Sequence, residues 1–333
     1  MSGLRAAVVG MGWWGKYIVQ RLAGSTALRI THAVDHDDRA VAGFAREHGL
    51  ILRKSIAEVL SDADVDAVLI VTPHSTHESL VIAAAQAGKQ VFCEKPLTLA
   101  TASAERMLAA CDKAGIVLGI GHERRFEPAM EEIARLIASG SLGQILHMEA
   151  NFSHDLFAHV ETSNWRVAPK DAPAAGMTAL GVHLTDLFIS FAGRPQAVRA
   201  RTARVLPDAT GQDHLSIWLD FASGTTASIS SLASTPFYGR LTVFGSRGWA
   251  EARESANVDK ELPSEFVVSD ATGKRTSRTF PAAQTVRANL ETWANAVAGR
   301  APYRYTREQL LDNVRILDAV ARSSNEGGSL IAL

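Results

Sequence analysis

Apolar residues in the first third of the chain gather into short unbroken runs separated by amphipathic stretches. Ala6-Ala7-Val8-Val9 opens the series as a strand, residues 14–23 have helical spacing, and 28–34 read as a second strand. The alternation continues with helices over 39–48, 77–87 and 103–114 and strands over 65–71, 90–93 and 117–120. Ala67-Val68-Leu69-Ile70-Val71 is apolar at every position, as in a strand covered on both faces within a parallel sheet. The pattern predicts a doubly wound α/β domain over residues 1–121.

Beyond Gly121 the grammar changes. A helix over 130–139 is followed by period-two alternation at 145–152, 197–205, 215–221 and 225–232, with 241–244 and 249–252 extending the set. Ala222-Ser223-Gly224 separates two of these runs as a hairpin turn with glycine at its end. Helical spacing returns over 286–298 and 308–324. Residues 122–333 therefore read as a second α/β domain built on a large open, mostly antiparallel sheet, its final helix placed to pack back on the first domain.

Composition narrows the partners. The 333 residues suit two ordinary domains, and 34 Lys and Arg against 35 Asp and Glu leave a net charge of −1. That balance supplies no electrostatic footprint for nucleic acid or an anionic membrane and favours a small-molecule substrate. The opening apolar run is too short for a secretory leader, and no stretch is apolar over the length of a membrane span. Cys93 and Cys111 are too few for a disulfide framework, which places the expected site of action in the cytoplasm.

Directly after the first strand stands Gly10-Met11-Gly12-Trp13-Trp14-Gly15. A dinucleotide needs a tight turn, close backbone approach to its pyrophosphate and close helix packing, and three glycines answer these demands. The following helix offers N–H groups and a positive dipole end to the diphosphate. The second strand ends in Asp35, 20 residues after Gly15, where a ribose-binding carboxylate is required. This is a Rossmann signature. Asp37 and Asp38 nearby disfavour a 2′-phosphate, so NAD is expected over NADP, although His36 and Arg39 lie close by.

Further motifs follow the later strands: Thr72-Pro73-His74-Ser75-Thr76-His77, Glu94-Lys95-Pro96, and Gly121-His122-Glu123-Arg124-Arg125-Phe126-Glu127-Pro128. With the glycine turn, and with 176–186 and 308–333 near the end, the ordered series resembles the Gfo/Idh/MocA family of glucose-fructose oxidoreductase, inositol dehydrogenase and their relatives. The resemblance implies an N-terminal Rossmann domain and a C-terminal α/β domain whose open sheet carries substrate on one side and often a partner subunit on the other. Homo-oligomers, dimers or tetramers, are expected. It also implies that Thr72, Pro73, His74 and His77 border the cofactor, that Glu94 and Lys95 lie beside the nicotinamide, and that Lys95 is catalytic.

The chemistry is consistent with that role. Oxidising a sugar or cyclitol hydroxyl requires a base, and a partly desolvated lysine beside a cationic ring can supply one. Pro96 restricts Lys95 to extended geometry. The family segment Asp-x-x-x-His-x-x-Asp is matched by 179–186, but its first aspartate is replaced by Ala179, while His183 and Asp186 are present. A Lys-Asp-His relay cannot be written here. The expectation is instead that Lys95 acts as general base with His183 assisting the reacting oxygen, that Thr178 offers a hydrogen bond, and that Asp186 contacts His183 along a helix turn.

Substrate-facing candidates come from 151–166, where His154, Asp155, Phe157 and His159 precede Asn164-Trp165-Arg166. A Trp-Arg pair can stack on a ring and fork onto hydroxyls or a carboxylate. Arg124 and Arg125 are further candidates, with Phe237 and Tyr238 weaker ones. The histidines and aspartate lack a convincing metal-ligand spacing, so no metal is expected. The leading expectation is an NAD-dependent dehydrogenase of a sugar, cyclitol or related cyclic diol, an aromatic dihydrodiol included. An NAD-dependent glycosidase of the same superfamily and a non-catalytic dinucleotide or sugar sensor are the alternatives.

Overall fold

The unbroken apolar runs form strands buried on both faces. In the computed structural model, which describes residues 3–155, 160–161 and 164–333, the first strands and helices are β1 (Leu4–Val9), α1 (Trp13–Arg21), β2 (Leu28–Val34), α2 (Asp38–Glu47), β3 (Ile51–Arg53) and α3 (Ile56–Leu60). They continue with β4 (Ala67–Ile70), α4 (His77–Gln86), β5 (Gln90–Cys93), α5 (Thr101–Ala114) and β6 (Leu118–Ile120). The strands pair in parallel in the order β3-β2-β1-β4-β5-β6. The order reverses between β2 and β4 on either side of β1, which brings the glycine turn and the end of β4 to the switch point where open α/β sheets bind ligands.

Two elements here are absent from the hydrophobic pattern. β3 and α3 are three and five residues long, too short to establish a period. α3 nevertheless carries a local signal, since Ser55 and Glu58 form a reciprocal capping box.

The second set comprises α6 (Pro128–Ala138), β7 (Ile145–Ser153), α7 (Gly181–Ala192), β8 (Pro195–Ala203), β9 (His214–Phe221), β10 (Thr226–Leu232), β11 (Tyr238–Gly245) and β12 (Gly248–Glu254). β13 (Ser264–Ser269), β14 (Arg275–Phe280), α8 (Thr285–Val297), α9 (Arg307–Asn325) and β15 (Ile331–Ala332) follow. Nine strands form one sheet in the order β14-β13-β12-β11-β7-β10-β9-β8-β15. Its neighbours are antiparallel except β7 and β10, which run parallel. The fold is thus α/β, with a doubly wound parallel sheet and a large, mostly antiparallel one.

Alternation in β9 and β10 buries Leu215, Ile217, Leu219, Ala227 and Ile229 on one face. α7 packs on β7 and β10, and α6 on β12 and β13. Ser216, Trp218, Ser228 and Ser230 occupy the alternate positions, and Trp218 is 44% exposed. β14 is an edge strand whose residues Arg275 to Thr279 are exposed, so it carried no apolar signal to predict it.

The chain divides into two compact units, one running up to Glu123 with Val286–Leu310, the other Arg124–Thr285 with Leu311–Leu333. α8 thus contributes to the core of the first unit. Its Trp293 is fully buried, donates Nε1–H to the Val117 carbonyl at 3.0 Å and meets Phe92 edge-on. A Cβ on Gly119 would lie 2.5 Å from Phe92 and 2.7 Å from Trp293, so only glycine lets these rings close over the strand.

Candidate active site

The glycine turn has the backbone geometry a diphosphate needs. Gly10 adopts φ +97°, and a Cβ on Gly15 would fall 2.1 Å from the Gly10 carbonyl oxygen, so α1 can approach β1 only with glycine there. Nothing lies within 4 Å of a Cβ built on Gly12, and no side chain caps α1. The first-turn N–H groups of α1 thus suit an anionic ligand. Asp35 follows β2, and its Oδ2 accepts the Met11 N–H at 2.8 Å, tying the strand end to the turn. Its Oδ1 accepts the Asp37 N–H at 3.0 Å and faces exposed His36 at 3.1 Å. A carboxylate has room for further donors beside these. The residues present fit a dinucleotide.

Two tryptophans within the turn behave differently. Trp13 is 53% exposed on the first turn of α1. Trp14 stacks on Tyr17 at 5.0 Å and donates its indole N–H to Glu94 Oε1 at 2.7 Å. The loop after β4 is tied down as well. Thr72 Oγ1 pairs with Thr76 Oγ1 at 2.6 Å, Pro73 is half-buried, and His74 meets His77 edge-on at 5.8 Å. His77 is fully buried, with Nε2 at 3.0 Å from the Thr72 carbonyl and Nδ1 at 3.0 Å from the Pro96 carbonyl. It bridges the loops after β4 and β5, so these contacts place it behind the loop surface.

Glu94 and Lys95 leave the sheet at the C-terminal end of β5. Glu94 is buried, and its Oε2 accepts the Lys95 backbone N–H at 3.1 Å. Gly121 lies flush against it, since a Cβ there would be 2.4 Å from Oε2. Burial, followed by the charge of Glu123, pushes the Glu94 carboxyl up to about 7, against the opposing Trp14 and Lys95 contacts. Lys95 itself is half-buried and precedes a cis peptide to Pro96.

In the second unit, Asp186 departs from its expected partner. Arg125 grips it from two directions, Nε to Oδ2 at 2.7 Å and Nη2 to Oδ1 at 2.6 Å, with both side chains almost wholly buried. The guanidinium fork matches both carboxylate oxygens, a geometry the His183 ring cannot offer. His183 sits in the first turn of α7, 5% exposed and edge-on to Phe152. Arg124 is also committed internally. It pairs with Glu254, reaches Asn257 Oδ1 at 3.3 Å and lies over the Phe152 ring at 3.9 Å. Thr178 is buried beside the α7 N-terminus.

A cavity of about 490 Å³ opens in this unit, lined in part by His154, Arg166, Ala179, Leu180, Thr210 and Gln212. Three residues marked in the sequence, His154, Arg166 and Ala179, therefore share one wall system. Arg166 stacks on neighbouring Trp165 at 4.4 Å, and burial lowers its pKa. Asn164 Oδ1 accepts the Arg166 N–H at 3.0 Å, which fixes the Asn164-Trp165-Arg166 turn. Asp213, also on the cavity wall, accepts the Val205 and Leu206 N–H groups and Ser234 Oγ–H. Asp155 is exposed just after β7; Phe157 and His159 lie outside the described residues. Phe237 packs on Phe152, and Tyr238 is exposed on β11.

Sequence reasoning did not foresee Trp14 as a partner of Glu94, the Arg125–Asp186 pair, or Asp213. Trp14 carried a weak signal, an indole donor in a turn that binds through its backbone. Asp213 lies outside every motif in the chain.

A dinucleotide-type glycine turn after β1 of a parallel sheet, with an acidic-lysine turn at the end of β5 two strands away, defines a nucleotide-dependent oxidoreductase architecture. The comparisons carry this to a family. Residues 4–122 match an oxidoreductase family with an NAD-binding Rossmann fold, and residues 130–251 match the GFO/IDH/MocA C-terminal domain. The chain is 30% identical over 276 residues to D-xylose 1-dehydrogenase (NADP(+)) 2 of Haloferax volcanii, covering 83% of each. It is 28% identical to an inositol 2-dehydrogenase of Rhizobium meliloti, covering 78% of each. The crystal structure of aldose-aldose oxidoreductase from Caulobacter crescentus complexed with glycerol superposes with TM-score 0.88 at 25% identity, covering 99% of this chain and 100% of that one. The chain belongs to the GFO/IDH/MocA family of oxidoreductases.

Proposed function

We propose that this protein is an NAD-dependent dehydrogenase of a secondary alcohol in a sugar, cyclitol or related cyclic diol, with Lys95 as general base and His183 assisting. The observation that carries the reading is the Glu94-Lys95 turn at the β5 end, with its carboxyl tied to α1 of the glycine turn. Relatives named as xylose and inositol dehydrogenases support the substrate class.

In this reading residues 1–121 hold the dinucleotide, with Gly10, Gly12 and Gly15 at the diphosphate and Asp35 at the ribose. When bound, the dinucleotide supplies the hydride acceptor. Lys95 takes the hydroxyl proton on Nζ, and His183 hydrogen-bonds the reacting oxygen. Residues 122–333 bind the substrate, with Asn164, Trp165, Arg166 and Thr178 around it. Arg124, held by Glu254 and Phe152, acts behind this surface. Ala179 on the cavity wall replaces a carboxylate with a methyl, so the proton moves without an aspartate at that position. Asp35, Asp37 and Asp38 favour NAD over NADP. Subunits associate through the open sheet face, and the two buried free thiols suit a reducing cytoplasm.

The test is NADH absorbance during incubation with NAD⁺ and a panel of aldoses, cyclitols, uronic acids and cyclic dihydrodiols, alongside Lys95→Ala. A rise that Lys95→Ala abolishes is the expected result. Full turnover in Lys95→Ala refutes the base assignment. A flat trace with NADH bound moves the reading to a glycosidase or sensor.

A further inference from the structure

The Glu94 carboxyl lies where three loops meet, and each controls one aspect of it. The α1 start supplies the Trp14 indole N–H at 2.7 Å, the β5 end supplies the Lys95 backbone N–H at 3.1 Å, and the loop after β6 presses Gly121 against it. The titratable groups facing it are Glu123 after β6, Lys95 beside it, and the Cys93 thiol before it, which burial holds protonated. Burial and Glu123 favour the neutral acid; the indole donor and Lys95 favour the carboxylate. Trp14 is thus the neutral side chain whose removal changes this balance without adding or deleting a charge. Its packing on Tyr17 depends on the ring, whereas its hold on Glu94 depends on one N–H.

We infer that Trp14 is a positioning residue for Lys95: its indole N–H holds the Glu94 carboxyl in place beside that lysine and favours its carboxylate form. An ionised Glu94 stabilises the ammonium formed when Lys95 accepts a proton. Once Glu94 is protonated that stabilisation is lost, so Glu94 and Lys95 titrate as a coupled pair and set the acid limb of alcohol oxidation. Nothing else in the glycine turn requires a tryptophan here, because that turn meets a dinucleotide through its backbone. The inference rests on the dehydrogenase reading for its catalytic consequence, but the Trp14–Glu94 contact can be tested without turnover.

The ligand-free protein with ¹⁵N-labelled tryptophan gives signals from six indole N–H groups, and Trp14→Phe identifies one by its loss. That signal is expected to titrate with a midpoint near the Glu94 value of about 7 and to stop titrating in Glu94→Gln. Trp13→Phe removes a different signal and leaves the titration in place. In NADH formation with the best substrate of the panel, Trp14→Phe should move the acid limb upward by roughly one to two pH units. A Trp14 signal that is flat from about pH 5 to 9, or that still titrates in Glu94→Gln, overturns the inference, as does an unmoved acid limb. Failure of the base assignment reads differently: Lys95→Ala retains turnover while the Trp14 titration persists.

Discussion

The buried Arg125–Asp186 pair provides a sharp test of how the second unit is built. Arg125→Met removes the cation and keeps much of the apolar stem, leaving a carboxylate that is 2% exposed without its partner. Both Asp186 oxygens lose a short charge-assisted bond at once. Breaking such a pair from one side costs about 3–5 kcal/mol, because the remaining charge stays desolvated. At roughly 2–4 °C per kcal/mol for a unit of this size, the transition should fall by about 10 °C. Replacing both partners by apolar residues, Arg125→Met with Asp186→Leu, removes the stranded charge and should recover most of the loss. Urea denaturation followed by fluorescence and circular dichroism, with thermal melts, measures Arg125→Met, Asp186→Leu alone and the double variant, provided the two probes give coincident transitions. A single-variant cost below about 1 kcal/mol, or a double variant as unstable as the two single losses combined, would refute the argument that Asp186 is held by Arg125.

Two further outcomes separate binding from folding. Gly12→Ala should leave stability unchanged, because nothing lies near the added methyl, yet weaken NADH binding at least about tenfold by blocking close backbone approach; titration calorimetry and melts read the two effects. Gly15→Ala meets the Gly10 carbonyl at 2.1 Å and should lose about 1–3 kcal/mol of stability as well as affinity. For Glu94, the folded pKa of about 7 lies above the unfolded value near 4.5, so the folded state binds more protons between them. Stability should therefore fall as pH rises through that window, by at most a few kcal/mol, and Glu94→Gln should flatten the curve in denaturation at pH 5 and pH 8.

Much of the fold is written in local pattern. β2 and β5 match their predicted bounds, and most helices of both units match within two residues, because their apolar periods are long and uninterrupted. Elements without such a period were not visible. β14 is exposed along nearly its whole length, and its pairing is decided by β13. The parallel alignment of β7 and β10 is likewise set by topology, since alternation reports which face a residue occupies and not the direction of its neighbour.

Residue types at the site were legible where the backbone dictates them, and side-chain partners were not. Gly10 and Gly15 are readable because a positive φ and a close approach to a carbonyl admit little else. His77 was expected beside the cofactor only through the family resemblance; its side-chain partners, backbone carbonyls of two loops, one of them 19 residues away, had no signal in the sequence. Asp186 has a helical neighbour in His183, but a buried carboxylate is stabilised most by a cation that satisfies both oxygens, and Arg125 lies 61 residues earlier. Trp14 finds Glu94 across 80 residues. In each case the contact answers a burial cost that local sequence does not record, so the strength of a desolvated polar group, rather than proximity along the chain, selects its partner.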